Sequence, residues 1–167
     1  MISSGTKSYF FGCHNFILHP IFVIAGWKIW HRRWPKLWEI VCIFLHDIGV
    51  IGQDYLVQGG KDGHWKRGAE LARSLFDERG YKLCAGHTNE SGFLRSDLFW
   101  ADKVSWIAAP NWWMQFNYFI EGFEGVPPDE WKRRVAENLN KKNPEDNHTL
   151  YEKFRSEGRL LKHPIQH

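Results

Sequence analysis

Ile40-Val41-Cys42-Ile43-Phe44-Leu45-His46-Asp47-Ile48-Gly49 is the stretch on which the fold and the chemistry of this chain both turn. An unbroken apolar run leads into an imidazole and a carboxylate, and Gly49 and Gly52 close it. The run reads as a helix, Lys36 to about Asp47, whose C-terminal end is buried. Burying a His-Asp pair is costly unless something satisfies it. Two readings are open at this point: a hydrogen-bonded polar pair in the core, or a pair of metal ligands. The rest of the chain supplies more of the same chemistry in the order H…HD…H…H…D, with His19 before the pair and His64, His87 and Asp102 after it. Such a set of imidazoles and carboxylates suits Mn²⁺, Fe or Zn²⁺, with Mg²⁺ a further option, better than thiophilic metals. Six ligands exceed what one catalytic ion with an open position needs, so they suggest two divalent ions. Such a pair suits in-line displacement at phosphorus.

Working outward from this stretch, the sequence predicts an all-α chain. Pro20 fits the first turn of a helix running to about Arg33, with His19 near its N-cap. Residues 53–63 are rich in Gly and Asp and read as a loop. His64 opens a third helix with an Ala69, Leu71, Ala72, Leu75, Phe76 stripe and a C-cap at Gly80. A short helix over 81–85 and a polar turn over 88–92 follow. Ser96 is the expected cap of a helix that ends at Pro110. The aromatic stretch Trp112 to Phe119 has no direction that periodicity can fix. Beyond Pro127-Pro128 the chain becomes charged, with helices expected over 129–140 and 147–158 on the outside or against another subunit. Residues 1–125 thus form the site-bearing domain, and residues 126–167 a charged helical extension of it.

Composition narrows the function classes. The chain has 167 residues, enough for one domain with a real core. Its net charge is only +3, with basic and acidic residues interspersed, which is no footprint for duplex nucleic acid. A small anionic substrate held by a few local cations fits better. The longest apolar stretch, residues 16–30, contains His19, Pro20 and Lys28 and is too interrupted to span a membrane. Cys13, Cys42 and Cys84 have no CxxC spacing and no secretory signal precedes them, so a reducing, cytoplasmic setting is expected. Cys42 is expected to be a buried small hydrophobe. Trp27, Trp30, Trp34 and Trp38 are expected to pack the first two helices together. Trp112, Trp113, Phe116 and Tyr118 suit a core, a homo-oligomer interface or a stack on a nucleobase.

Several short motifs resemble those of the HD-domain superfamily of metal-dependent phosphohydrolases. Phe44-Leu45-His46-Asp47-Ile48-Gly49 resembles its signature. His19-Pro-Ile-Phe-Val23 is similar to the first-helix ligand segment H-x-x-x-V, and Ala101-Asp102-Lys103 to the last one. His64-Trp-Lys-Arg-Gly68-Ala69-Glu70-Leu71 resembles the H-x-x-x-G-A-x-L segment of binuclear members, and His87 stands where these place another histidine. The resemblance spans residues 14–110. It implies a helical bundle with a central metal site. His19, His46, Asp47 and Asp102 would hold one ion, His64 and His87 a second, and Asp47 would bridge them. The implied reaction is hydrolysis of a nucleotide or similar small phosphoester by a metal-activated water. His14 is the alternative first ligand, because a proline directly after His19 disfavours a helical conformation there.

The chain departs from the cyclic di-GMP-cleaving subgroup, since Val50 rather than lysine follows Gly49 and Gly86-His87-Thr88-Asn89-Glu90 replaces its longer motif. Lys103, Lys66 and Arg67 are candidates to neutralise phosphate oxygens. Asp54 and Asp62 are candidates to orient a ligand imidazole, and Glu90 to donate a proton to a leaving oxygen. His31, His148, His163 and His167 read as solvated histidines. Two other functions remain open for the same ligand set: a di-iron oxygenase and a non-catalytic metal-binding module.

Overall fold

A computed structural model describes residues 15–50, 63–121 and 127–140. His14, Asp54, Asp62, the helix expected over 147–158 and the last three histidines lie outside these. The described residues form six α-helices and two 3-10 turns and contain no strand, which agrees with an all-α fold. The helices are α1 (Leu18–His31), α2 (Leu37–Leu45), α3 (His64–Ala85), α4 (Asp97–Ala108), α5 (Asn111–Glu121) and α6 (Pro128–Asn140). The 3-10 turns are Ile48–Val50 and Asn89–Ser91. Among the described residues no helix is long and apolar enough to cross a membrane.

α1 begins two residues before Pro20, so His19 lies inside its first turn. Asn15 makes this possible. Its Oδ1 accepts from the backbone N–H groups of Ile17, Leu18 and His19 at 3.2, 2.6 and 3.2 Å. The first-turn donors are thus satisfied, and Pro20, which has none to offer, costs nothing there. α2 starts with a carboxylate cap. Glu39 accepts from the Lys36 amide at 2.6 Å and from both Arg33 guanidinium nitrogens at 2.7 and 2.8 Å. This bidentate pair ties the corner between α1 and α2.

α3 departs most from expectation. Its break falls at Phe76–Asp77, where both residues leave helical geometry, and not at Gly80. Asp77 takes φ 56° and ψ −153°, a region that costs a non-glycine residue about 1–3 kcal/mol. The break is a reversal. Trp65 and Tyr81 would stand about 24 Å apart on a straight helix, yet their ring centroids are 6.3 Å apart. Phe93 completes an edge-to-face trio with both, at 6.0 and 5.4 Å. α3 is therefore a helical hairpin whose ends return to each other.

Two apolar clusters hold the helices together. One joins Val23, Trp27, Cys42, Ile43, Trp65, Ala69, Leu83, Cys84 and Leu98. Cys42 is fully buried within it, as expected of a small hydrophobe. The other joins Val104, Trp106, Trp113 and Met114 to Trp131, Val135 and Leu139 of α6. The charged C-terminal helix thus contributes three residues to a core instead of lying wholly outside. Its 13 residues alternate polar and apolar with helical spacing, which hides that face in the average composition. The tryptophan expectation needs a similar correction. Trp30 stacks on Trp100 of α4, with centroids 4.8 Å apart and planes 7° apart. Trp34 is 64% exposed. α1 packs most extensively on α4, and α2 on α3.

Candidate metal centre

Four helices deliver the polar residues to one place. α1 carries His19 in its first turn, α2 ends at His46-Asp47, α3 opens on His64, and α4 carries Asp102. His87 follows the second arm of α3. On a straight helix the 23 residues from His64 to His87 would span about 35 Å. The reversal at Phe76–Asp77 instead brings the two Nε2 atoms within 3.1 Å.

The joint between α2 and α3 is equally tight, and glycine makes it so. A Cβ on Gly68 would lie 2.2 Å from the Leu45 carbonyl oxygen and 2.9 Å from that of His46. A Cβ on Gly49 would lie 2.0 Å from the His64 carbonyl oxygen. Backbone meets backbone on both sides, so His64 sits directly against the end of α2.

Asp47 is the centre of the cluster, and its two oxygens face different partners. Oδ2 lies 3.4 Å from His19 Nε2 and 3.2 Å from His46 Nε2. Oδ1 lies 3.3 Å from His87 Nε2 and 3.6 Å from His64 Nε2. Asp102 Oδ1 lies 3.2 Å from His19 Nε2, at the edge of the first set. His19–His46–Asp47 and Asp47–His64–His87 are each compact enough to hold a metal ion, with all ligand atoms of each set within 4.8 Å. Five of the six candidates fall in these two sets, Asp102 stands beside the first through His19, and the alternative His14 lies outside the described residues.

The proton inventory shows why the cluster suits a cation. His46 Nδ1–H donates to the Ile43 carbonyl oxygen and His87 Nδ1–H to that of Cys84, both at 2.5 Å. A carbonyl can only accept, so each ring carries a proton on Nδ1 and turns Nε2 toward Asp47. Burial pushes His87 below its usual range, the Asp47 carboxylate opposing it in part, so this imidazole is neutral. His46 Nε2 is buried and makes no hydrogen bond within the described residues. The ligand-atom separations of 3.1 to 3.6 Å match the edge of a coordination shell. With metal–ligand bonds near 2.1 Å, neighbouring ligands stand about 3.0 Å apart at right angles and about 3.4 Å apart in a tetrahedron.

The charges are consistent with this. Burial favours the neutral form of both carboxyl groups. It is outweighed at Asp47 by the surrounding histidines and at Asp102 by Lys103 and the histidines, which hold both well below the usual carboxylate range. Burial also opposes the charge on His19, but Asp102 and Asp47 outweigh it and push His19 up to about 9. Protonation of His19 therefore stabilises the metal-free fold fully below about pH 6.5, and that contribution is lost as pH rises through about 9. A metal must displace this proton. Binding of Mn²⁺ at pH 7.5 is expected to release at least one proton per chain, falling off above pH 9. Calorimetry in buffers of different ionisation enthalpy reads this release directly. Buffer-independent heats at pH 7.5 would exclude His19 as a ligand.

The remaining candidates are placed unequally. Lys103 Nζ bonds Asp102 Oδ2 at 2.8 Å and lies over the Phe99 ring. Lys66 and Arg67 are exposed, and Lys66 runs beside Gly63. Two positions past His64, Lys66 points about 200° around the helix from it. Glu90 reaches His64 from outside, with Oε2 3.5 Å from Nδ1. Ser96 occupies the N-cap position of α4, but its hydroxyl donates to the Leu83 carbonyl oxygen at 2.7 Å instead of capping. Sequence reasoning missed Asn15 and the role of Glu90. The Asn15-x-x-Leu18 spacing was a usable cap signal for the first. Nothing local pairs Glu90 with a residue 26 positions earlier.

A scan against protein-family models and comparisons with curated proteins and with solved structures give no match.

Proposed function

We propose that this chain is a metal-dependent phosphohydrolase of HD type that cleaves a nucleotide or similar small phosphoester. One observation carries the reading. Two groups of ligand-competent side chains share a single carboxylate, Asp47, one group on each oxygen. Such sharing suits two divalent ions held side by side, with His19, His46, Asp47 and Asp102 on one and Asp47, His64 and His87 on the other. When bound, a pair of ions supplies Lewis acidity and a water deprotonated near neutral pH.

The chain's own residues set up the rest. The Ile43 and Cys84 carbonyls fix the ring orientation of His46 and His87. Lys103 sits at the edge of the cluster with only 14% of its side chain exposed, where its charge offsets that of a phosphate oxygen. Lys66 lies on the exposed side of α3. Val23, Ile43 and Leu98, on the same three helices that deliver His19, His46 and Asp102, are fully buried in one apolar cluster. The test is phosphate release from a panel of nucleotides in the presence of Mn²⁺. Release from at least one nucleotide, lost on chelation, is expected. Two bound irons with oxygen-dependent turnover and no hydrolysis would contradict the reading.

A further inference from the structure

Glu90 is an acidic side chain outside the ligand set that approaches the cluster, and the structure gives it a specific partner. His64 turns Nε2 inward, 3.6 Å from Asp47 Oδ1 and 3.1 Å from His87 Nε2. Its Nδ1 faces outward, 3.5 Å from Glu90 Oε2. The other two histidines with a defined Nδ1 partner use backbone carbonyls of their own turn, Ile43 for His46 and Cys84 for His87. His64 is the first residue of α3. The turn after His87 brings the Glu90 carboxylate to its outer nitrogen.

That turn is built to hold Glu90 in place. Thr88 Oγ1 accepts from the Glu90 amide at 3.4 Å, and Ser91 Oγ donates to the Thr88 carbonyl oxygen at 3.0 Å. Gly92 ends the turn with φ 73°, and Arg95 Nε donates to Asn89 Oδ1 at 3.0 Å. Glu90 therefore stands three residues after His87, on a short, cross-braced segment, with its carboxylate against the back of His64.

We propose that Glu90 is a positioning residue for the second ion. It accepts from His64 Nδ1–H, fixes the tautomer that presents Nε2 to the metal, and raises the basicity of that nitrogen. A carboxylate behind a ligating imidazole acts in this way at metal sites in general, and its loss typically weakens binding about 10–100-fold. The first group has no such carboxylate behind His46, so the effect falls on one ion and spares the other. The role differs from proton donation to a leaving group, because the carboxylate is spent on His64.

This inference rests on the two-ion reading, and its test separates the two. Mn²⁺ is titrated into the metal-free wild type, Glu90→Ala and Glu90→Gln, with calorimetry for affinity and electron paramagnetic resonance for coupling between ions. The wild type is expected to bind two ions that couple. Glu90→Ala is expected to bind one ion at wild-type affinity and the other about 10–100-fold more weakly, so that coupling disappears at low metal. Glu90→Gln keeps an oxygen that accepts from Nδ1–H and is expected to recover part of the loss. Circular dichroism of the metal-free variants is expected to match wild type. Equal weakening of both ions, or no weakening of either, would overturn the role of Glu90 while leaving the pair of ions standing. A wild type that binds a single ion would overturn the two-ion reading itself.

Discussion

Asp47→Ala is expected to abolish binding of both metal ions, whereas His19→Ala and His64→Ala each cost one. The asymmetry follows from the geometry. Asp47 Oδ2 serves the His19–His46 side and Oδ1 the His64–His87 side, so one side chain belongs to both groups. Each histidine belongs to one group. On the proposed function, loss of the pair is expected to remove several kcal/mol of transition-state stabilisation, a fall in phosphate release of about 10³-fold. Helix content is expected to persist, because Asp47 lies after the last residue of α2 and outside both apolar clusters. Mn²⁺ titration of the three variants, with circular dichroism as the control, reads the pattern. If Asp47→Ala lost only one ion, the shared carboxylate would not be the hub of the site.

Gly68→Ala is expected to destabilise the metal-free chain by about 2–3 kcal/mol, a fall in melting temperature of about 5–10 °C. The added methyl would meet the Leu45 and His46 carbonyl oxygens, both backbone atoms that cannot swing aside. α3 must then back away from the end of α2. His64 begins that helix, so it withdraws from Asp47 Oδ1 and the second ion binds more weakly. The first ion, held by His19, His46 and Asp102, is expected to bind as in wild type. Thermal unfolding and Mn²⁺ titration of the same variant check the two effects together. A wild-type melting temperature would mean that the two helices do not touch as closely as Gly68 implies.

The legible part of this molecule was its ligand chemistry. His and Asp are rare at the ends of apolar helical runs, so His46-Asp47 after Ile40–Leu45 announces itself, and His19, His64, His87 and Asp102 fall in order around it. What brings them together was less legible. The reversal of α3 rests on two ordinary residues, Phe76 and Asp77, and Asp77 adopts a conformation that turn chemistry assigns to glycine. Gly80, three residues on, carries the conventional signal but sits within the second arm. Tertiary packing overrode the local preference there, because a hairpin lets Trp65, Tyr81 and Phe93 meet edge to face. His19 shows the opposite case. Pro20 disfavoured a helical His19, and the side chain that resolves the conflict, Asn15, was in plain sight four residues earlier.

The most direct test of the account is the metal content of the purified chain after loading with Mn²⁺ and desalting, measured by elemental analysis. The account predicts two ions per chain. A chain that retains none would mean that His46, Asp47 and their neighbours are a polar core cluster, and a chain that retains one would mean that Asp47 does not bridge.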